Sequence, residues 1–92
     1  MPTIKISKSE IEAGWIFEVN VSNGNSTTHR VNLTREYYEH LSLGDTNPSD
    51  LVEGSFKFLL EREPKEMILR TFDLKIISQY FPEYERRITE YI

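Results

Sequence analysis

The sequence predicts an α+β fold, with an N-terminal three-stranded antiparallel β-meander (residues 1–33) and three to four helices (residues 34–92) packed on one face of it. Three observations lead there. Apolar residues alternate with a period of two through the first third of the chain, the period lengthens at Thr34, and Asn47-Pro48 and Asp73 then mark helix starts. No linker, internal repeat or low-complexity tract divides the 92 residues, so they form a single domain, long enough to bury a core without staples.

The strands follow from facing. "TIKIS" puts Ile4 and Ile6 on one face, and "WIFEVNV" aligns Trp15, Phe17, Val19 and Val21 opposite Ile16, Glu18 and Asn20. "TTHRVNL" groups Thr27, His29, Val31 and Leu33 away from Thr28, Arg30 and Asn32. A two-residue Asn23-Gly24 loop would set the apolar face of one strand against the polar face of the next. A three-residue loop, Ser22-Asn23-Gly24 with Gly24 left-handed, avoids this and predicts Val19 opposite Thr27, Phe17 opposite His29 and Trp15 opposite Val31.

Helices follow from caps. Thr34 is placed to N-cap "REYYEHL", with Glu36 near the positive end of the dipole and Gly44 as terminator. Asn47 as N-cap, Pro48 at the first helical position and Asp50 open the longest helix, which runs to about Arg62. Its apolar residues, from Leu51 to Leu60, spread across roughly 200°, about twice the stripe of an ordinary surface helix, so it must be covered on two sides. Pro64 ends or kinks it, and "KEMILRTF" reads as a further helical turn or two. Asp73 then caps "LKIISQYF", and Pro82 opens a last helix with Tyr84, Ile88 and Tyr91 in line.

The runs "HRVNLTREYYEHL", "SFKFLLEREPKEMILRTFDL" and "YFPEYE" resemble a group of small prokaryotic hypothetical proteins that share this order of segments. The resemblance covers roughly residues 29–85. It implies a bacterial or archaeal, cytosolic origin, carries no mechanism, and transfers no site residue.

Composition narrows the function classes. The absence of cysteine removes thiol nucleophiles, Cys-ligated zinc and iron–sulfur clusters, and fits a reducing compartment. "MPTIKISKSE" has no apolar core of the kind a signal peptide needs, and no apolar run spans a bilayer, so a cytoplasmic protein is expected. His29 and His40 lack metal-ligand spacing, no Gly-x-Ser-x-Gly marks a nucleophile, and the glycines are too isolated to cradle phosphate. The acidic clusters "SEIE", "EREPKE" and "PEYE" fall on surfaces where carboxylates need no special reason. The expectation is therefore no catalytic residue, no cofactor and no metal: a protein that is not an enzyme.

The net charge of −4 is evenly spread, with 4 basic and 6 acidic residues in 1–46 and 7 basic and 9 acidic in 47–92. In the helical half, Lys57, Lys65, Arg70 and Arg87 each follow a glutamate by four positions, an arrangement worth about 0.2–0.5 kcal/mol per pair. That leaves Arg62, Lys75 and Arg86, with Ser78 and Gln79 as polar neighbours, for a helix-turn-helix-like nucleic-acid contact of the antitoxin type. DNA binders commonly make about 6–10 phosphate contacts, so this is the weaker reading. The stronger is a small binding module that meets another protein chain or a second copy of itself. Its contact is expected on the outer face of the central helix and on Tyr84, Arg87, Ile88 and Tyr91 of the last helix. A three-stranded sheet would also leave its edge strands open.

Overall fold

A computed structural model describes residues 2–41 and 44–92. Strands β1 (Thr3–Ile11), β2 (Gly14–Asn23) and β3 (Asn25–Thr34) form the antiparallel meander, as expected. The pairing puts Ile4 opposite Val21 and Ile6 opposite Val19, and on the other side Trp15 opposite Leu33 and Phe17 opposite Val31. All the apolar alternates therefore lie on one face, while Lys5, Glu18, Thr28 and Arg30 hold the solvated one.

The β2–β3 register differs from expectation by two residues. Val19 faces His29 rather than Thr27, because the hairpin closes around Gly24, with Asn23 opposite Asn25. Both closures use an odd number of loop residues, so both keep the same side chains inward, and alternation alone does not separate them. The observed one adds rungs and leaves Gly24, at φ 85°, as the left-handed apex.

Helix α1 (Arg35–Leu41) starts where expected, with the Tyr37 amide donating to Thr34 Oγ1 at 3.1 Å. Gly44 is left-handed at φ 64°, whereas Ser42 and Leu43, just past the helix, lie outside the described residues. Helix α2 (Pro48–Leu60) is capped by Asn47, whose Oδ1 accepts from the Asp50 amide at 2.9 Å. It lies across the inner sheet face, burying Leu51, Val52, Phe56, Phe58 and Leu59.

Beyond Pro64 the chain is less helical than its sequence suggests. Lys65–Met67 makes one 3-10 turn, Ile68 is extended at ψ 134°, and Thr71–Asp73 forms a fourth strand, β4. It pairs parallel with β3, setting Thr71 beside Arg30, Phe72 beside Val31 and Asp73 beside Asn32. A parallel partner needs a long crossover, and α1 and α2 supply it. Three residues are too few to show alternation, so the strand is hidden inside "KEMILRTF". The sheet order is β1-β2-β3-β4, so β4 covers Arg30–Asn32 of the edge that a three-stranded sheet would have left open and becomes the outer strand there.

The rest of the chain is a series of short turns. A 3-10 turn, Leu74–Ile76, is capped by Asp73 Oδ1 accepting from the Lys75 amide at 3.1 Å, and runs into α3 (Ile77–Tyr80). Helix α4 (Tyr84–Arg87) follows Pro82 and passes into a 3-10 turn at Ile88–Tyr91. These elements cover the second side of α2. Phe58 meets the rings of Phe81, Tyr84 and Tyr91 edge-on, with centroids 5.9, 5.2 and 5.7 Å away. The wide apolar arc of the central helix is thus filled by the sheet on one flank and by the C-terminal turns on the other.

Candidate functional site

The expected interface stripe is turned inward. Tyr84 and Ile88 are fully buried, and Tyr84 Oη lies 2.6 Å from Ser55 Oγ inside the core. Burial pushes the Tyr84 phenol pKa up, so the hydroxyl stays protonated. The stripe is a core stripe because α4 sits against α2, whose 200°-wide apolar arc needs it. Tyr91 is half-buried, its ring on Phe58 and its hydroxyl donating to Glu61 Oε1 at 2.7 Å. Arg87 remains accessible, but its guanidinium is held by Glu90 at 2.7 and 3.0 Å. A contact built on Tyr84 and Ile88 is therefore closed.

The nucleic-acid residues are also dispersed. The 62–87 segment is a chain of short turns and one strand rather than two helices about a bend, and α3, at four residues, is too short for a recognition helix. Arg62 is tied down on three sides: Nε donates to Glu83 Oε2 at 3.2 Å, Nη1 to the Phe58 carbonyl at 3.1 Å, and the guanidinium sits 3.6 Å over the Phe58 ring. Ser78 Oγ donates back to the Lys75 carbonyl. Lys75, Gln79 and Arg86 are exposed.

Of the spaced pairs, Glu53–Lys57 forms at 3.3 Å. Lys65 instead reaches Glu66 at 2.9 Å, and Arg87 and Glu83 find the partners just given. Spacing rules for a continuous helix fail where the helix stops.

What the sequence reading missed is an open groove of about 420 Å³ between the end of α2, the 65–73 segment and α3. Its position follows from the extended chain after Pro64. Met67 ends the 3-10 turn and Ile68 leaves it extended, so of the apolar triplet Met67-Ile68-Leu69 only Ile68 turns inward. Ile68 is buried; Met67 and Leu69 are 68% and 47% exposed, and Tyr80, projecting from α3, is 65% exposed. Leu59, Phe72 and Ile77 form the buried floor. That apolar triplet next to a proline was the available signal.

The groove wall is fastened to the sheet. His29 in β3 is fully buried, and its Nδ1–H donates to the Leu69 carbonyl at 2.8 Å, since a carbonyl can only accept. Nε2 is then left to accept from Thr27 Oγ1, also at 2.8 Å. Burial pulls the His29 pKa below its ordinary range, which keeps this neutral tautomer. The Arg30 amide donates to the Arg70 carbonyl at 2.7 Å, and Asn32 Nδ2 to Asp73 Oδ2 at 3.0 Å. The histidine expected beside Phe17 thus packs on Phe56 and holds the groove edge in place.

Among the described residues Glu63 is the one charged side chain lining the groove. Burial alone pushes its carboxyl pKa up, and it makes no ion pair or side-chain hydrogen bond there. Its neighbours in sequence are engaged elsewhere, Arg62 with Glu83 and Lys65 with Glu66.

A second polar cluster joins α1 to α4. Tyr37 Oη donates to Glu85 Oε2 at 2.7 Å, and His40, stacked on Tyr37, lies 3.4 Å from Glu85 Oε1. Burial and the bond to Glu85 push the Tyr37 pKa up, so this hydroxyl is a fixed donor, which suits a fastening between elements. Among the described residues no three metal-ligating side chains come together, and no helix is long and apolar enough to cross a membrane. Comparison with protein-family models, with curated proteins and with solved structures finds no match.

Proposed function

We propose that the protein is a small, non-enzymatic interaction module of the cytoplasm that docks another protein chain in the groove between α2, β4 and α3. The observation that carries this is the side-by-side exposure of Met67, Leu69 and Tyr80 over an apolar floor. Single exposed apolar residues are ordinary, but a contiguous group around a concavity is the usual mark of a binding surface. Methionine and tyrosine are well suited to it, the first adaptable in shape and the second carrying a polar tip on a large flat body. A reducing compartment is consistent with a chain that has no cysteine.

Site-specific crosslinking tests the proposal. A photoreactive residue at position 69 should trap a discrete partner in cells of the source organism, and one at Lys5, on the solvated sheet face, should not. The purified partner should bind the wild-type protein and lose binding to Leu69→Asp while circular dichroism stays unchanged. A position-69 probe that traps nothing, or a partner that binds Leu69→Asp equally well, would overturn the reading.

A further inference from the structure

We infer that the occupant of this groove is an extended segment of the partner chain, which adds as a further strand to the outer edge of β4 and sets alternate apolar side chains over the groove floor. The inference rests on the docking reading above and adds the conformation of the bound segment.

The hydrogen-bond pattern of β4 carries the argument. In a parallel ladder, each bonded residue of one strand bridges two alternate residues of the next. Arg30, opposite Thr71, donates its amide to the Arg70 carbonyl at 2.7 Å, so residues 70 and 72 are the ones that turn backbone groups toward β3. The N–H and C=O of Thr71 and the N–H of Asp73 therefore point the other way, past the last strand of the sheet, and Thr71 is exposed. No turn or loop bond among the described residues takes these groups. Open backbone groups at a sheet edge are what an incoming strand satisfies, whereas a helix bonds its own backbone and leaves them to water. The same edge borders the groove, since Phe72 faces inward to line it. A strand about 4.8 Å beyond β4 places every second side chain on the inner face beside Phe72, whichever way it runs. With three residues, the edge suits one short segment and is too short to propagate sheet between molecules. A second copy does not fit, because the sheet edges it has to offer are β1 and β4. Their inward apolar side chains, Ile4, Ile6 and Phe72, are already packed against its own core.

The test selects two displayed peptide libraries on the wild-type protein, one of short segments with alternating apolar positions and one of amphipathic helices. The alternating library should enrich, and its selected peptides should not bind Leu69→Asp. Methylating the backbone nitrogens of one such peptide in turn should weaken binding about tenfold at one residue and spare the residues on either side, because neighbouring amides of a strand point to opposite sides. Nuclear magnetic resonance of the complex should show Overhauser contacts between the Thr71 amide proton and backbone protons of the peptide. Thr71→Pro, which removes an outward N–H and no bond to β3, should keep its circular dichroism and bind about tenfold more weakly.

Peptides that bind the wild type but not Leu69→Asp, and that come from the helix library alone or tolerate methylation at every nitrogen, would overturn the inference and leave the docking reading intact. Full binding to a folded Thr71→Pro would do the same. No enrichment from either library would overturn both, as would selected peptides that bind Leu69→Asp equally well. A dimer in light scattering that dissociates in Leu69→Asp would overturn the inference by showing a second copy in the groove.

Discussion

Burial shifts both Glu63 and His29 away from their ordinary titration, and the two predict opposite behaviour. Burial raises the Glu63 pKa in the folded protein, so the folded state disfavours its ionised form, and above about 4.5 that charge subtracts from stability. Glu63→Gln should therefore melt higher than wild type at pH 7, with the difference vanishing as pH falls below about 4.5. Thermal scans across that range check it, and an equal or lower melting point at pH 7 would count against an unpaired carboxylate. His29 is buried in its neutral form, with the folded pKa below the unfolded one, so the unfolded chain takes the proton first. Its contribution is complete above the unfolded value of about 6.5 and is lost as pH falls through the folded value. Urea midpoints should drop between pH 7 and 5, and the drop should shrink in His29→Gln. A flat profile would contradict the assigned tautomer.

At the scale of elements, α2 owes its place to a glycine. A Cβ at Gly54 would stand 2.6 Å from Ile92 Cγ2 and 2.9 Å from the Tyr91 carbonyl oxygen, so Gly54→Ala must push the last turn off α2. Overpacking of this kind typically costs about 1–3 kcal/mol, and a denaturant midpoint will show it; no change would mean that the Ile88–Tyr91 turn is loosely held. Elements with strong local chemistry were legible in the sequence: Asn47-Pro48 and Thr34 as caps, and the three alternating strands with their facing. The elements it hid are those decided by distant partners. β4 exists because Arg30 and Val31 offer an edge to Thr71 and Phe72, and nothing in "RTFD" alone announces this. The Tyr84–Ile88–Tyr91 stripe is legible in the sequence as apolar, but a helical wheel shows that a face needs cover and not which neighbour provides it, and here the interior covers Tyr84 and Ile88. The groove escaped because Met67 and Leu69 were counted toward a helix that Pro64 and the pull of β3 prevent.

In the whole molecule, the charges are arranged to leave one surface distinct. The outer sheet face is polar, and of the two sheet edges one is the three-residue β4 and the other is β1, which carries Lys8 on the inward-facing register opposite Phe17, a placement that discourages another strand from adding there. Among the described residues the three most exposed large apolar side chains, Met67, Leu69 and Tyr80, gather at the groove. Its far wall is joined to the sheet by Asn32 and Asp73, which are 41 residues apart in sequence. The two hairpins close over short loops and can form early, whereas the 68–73 segment can dock only after both longer helices have folded back across the sheet. Amides of residues 68–73 should accordingly exchange with deuterium well before those of residues 15–33, through a local opening that leaves the meander intact. Simultaneous exchange of both regions would refute this. If it holds, the groove is the part of the surface that comes and goes, and anything that depends on its shape is lost while the meander stays folded.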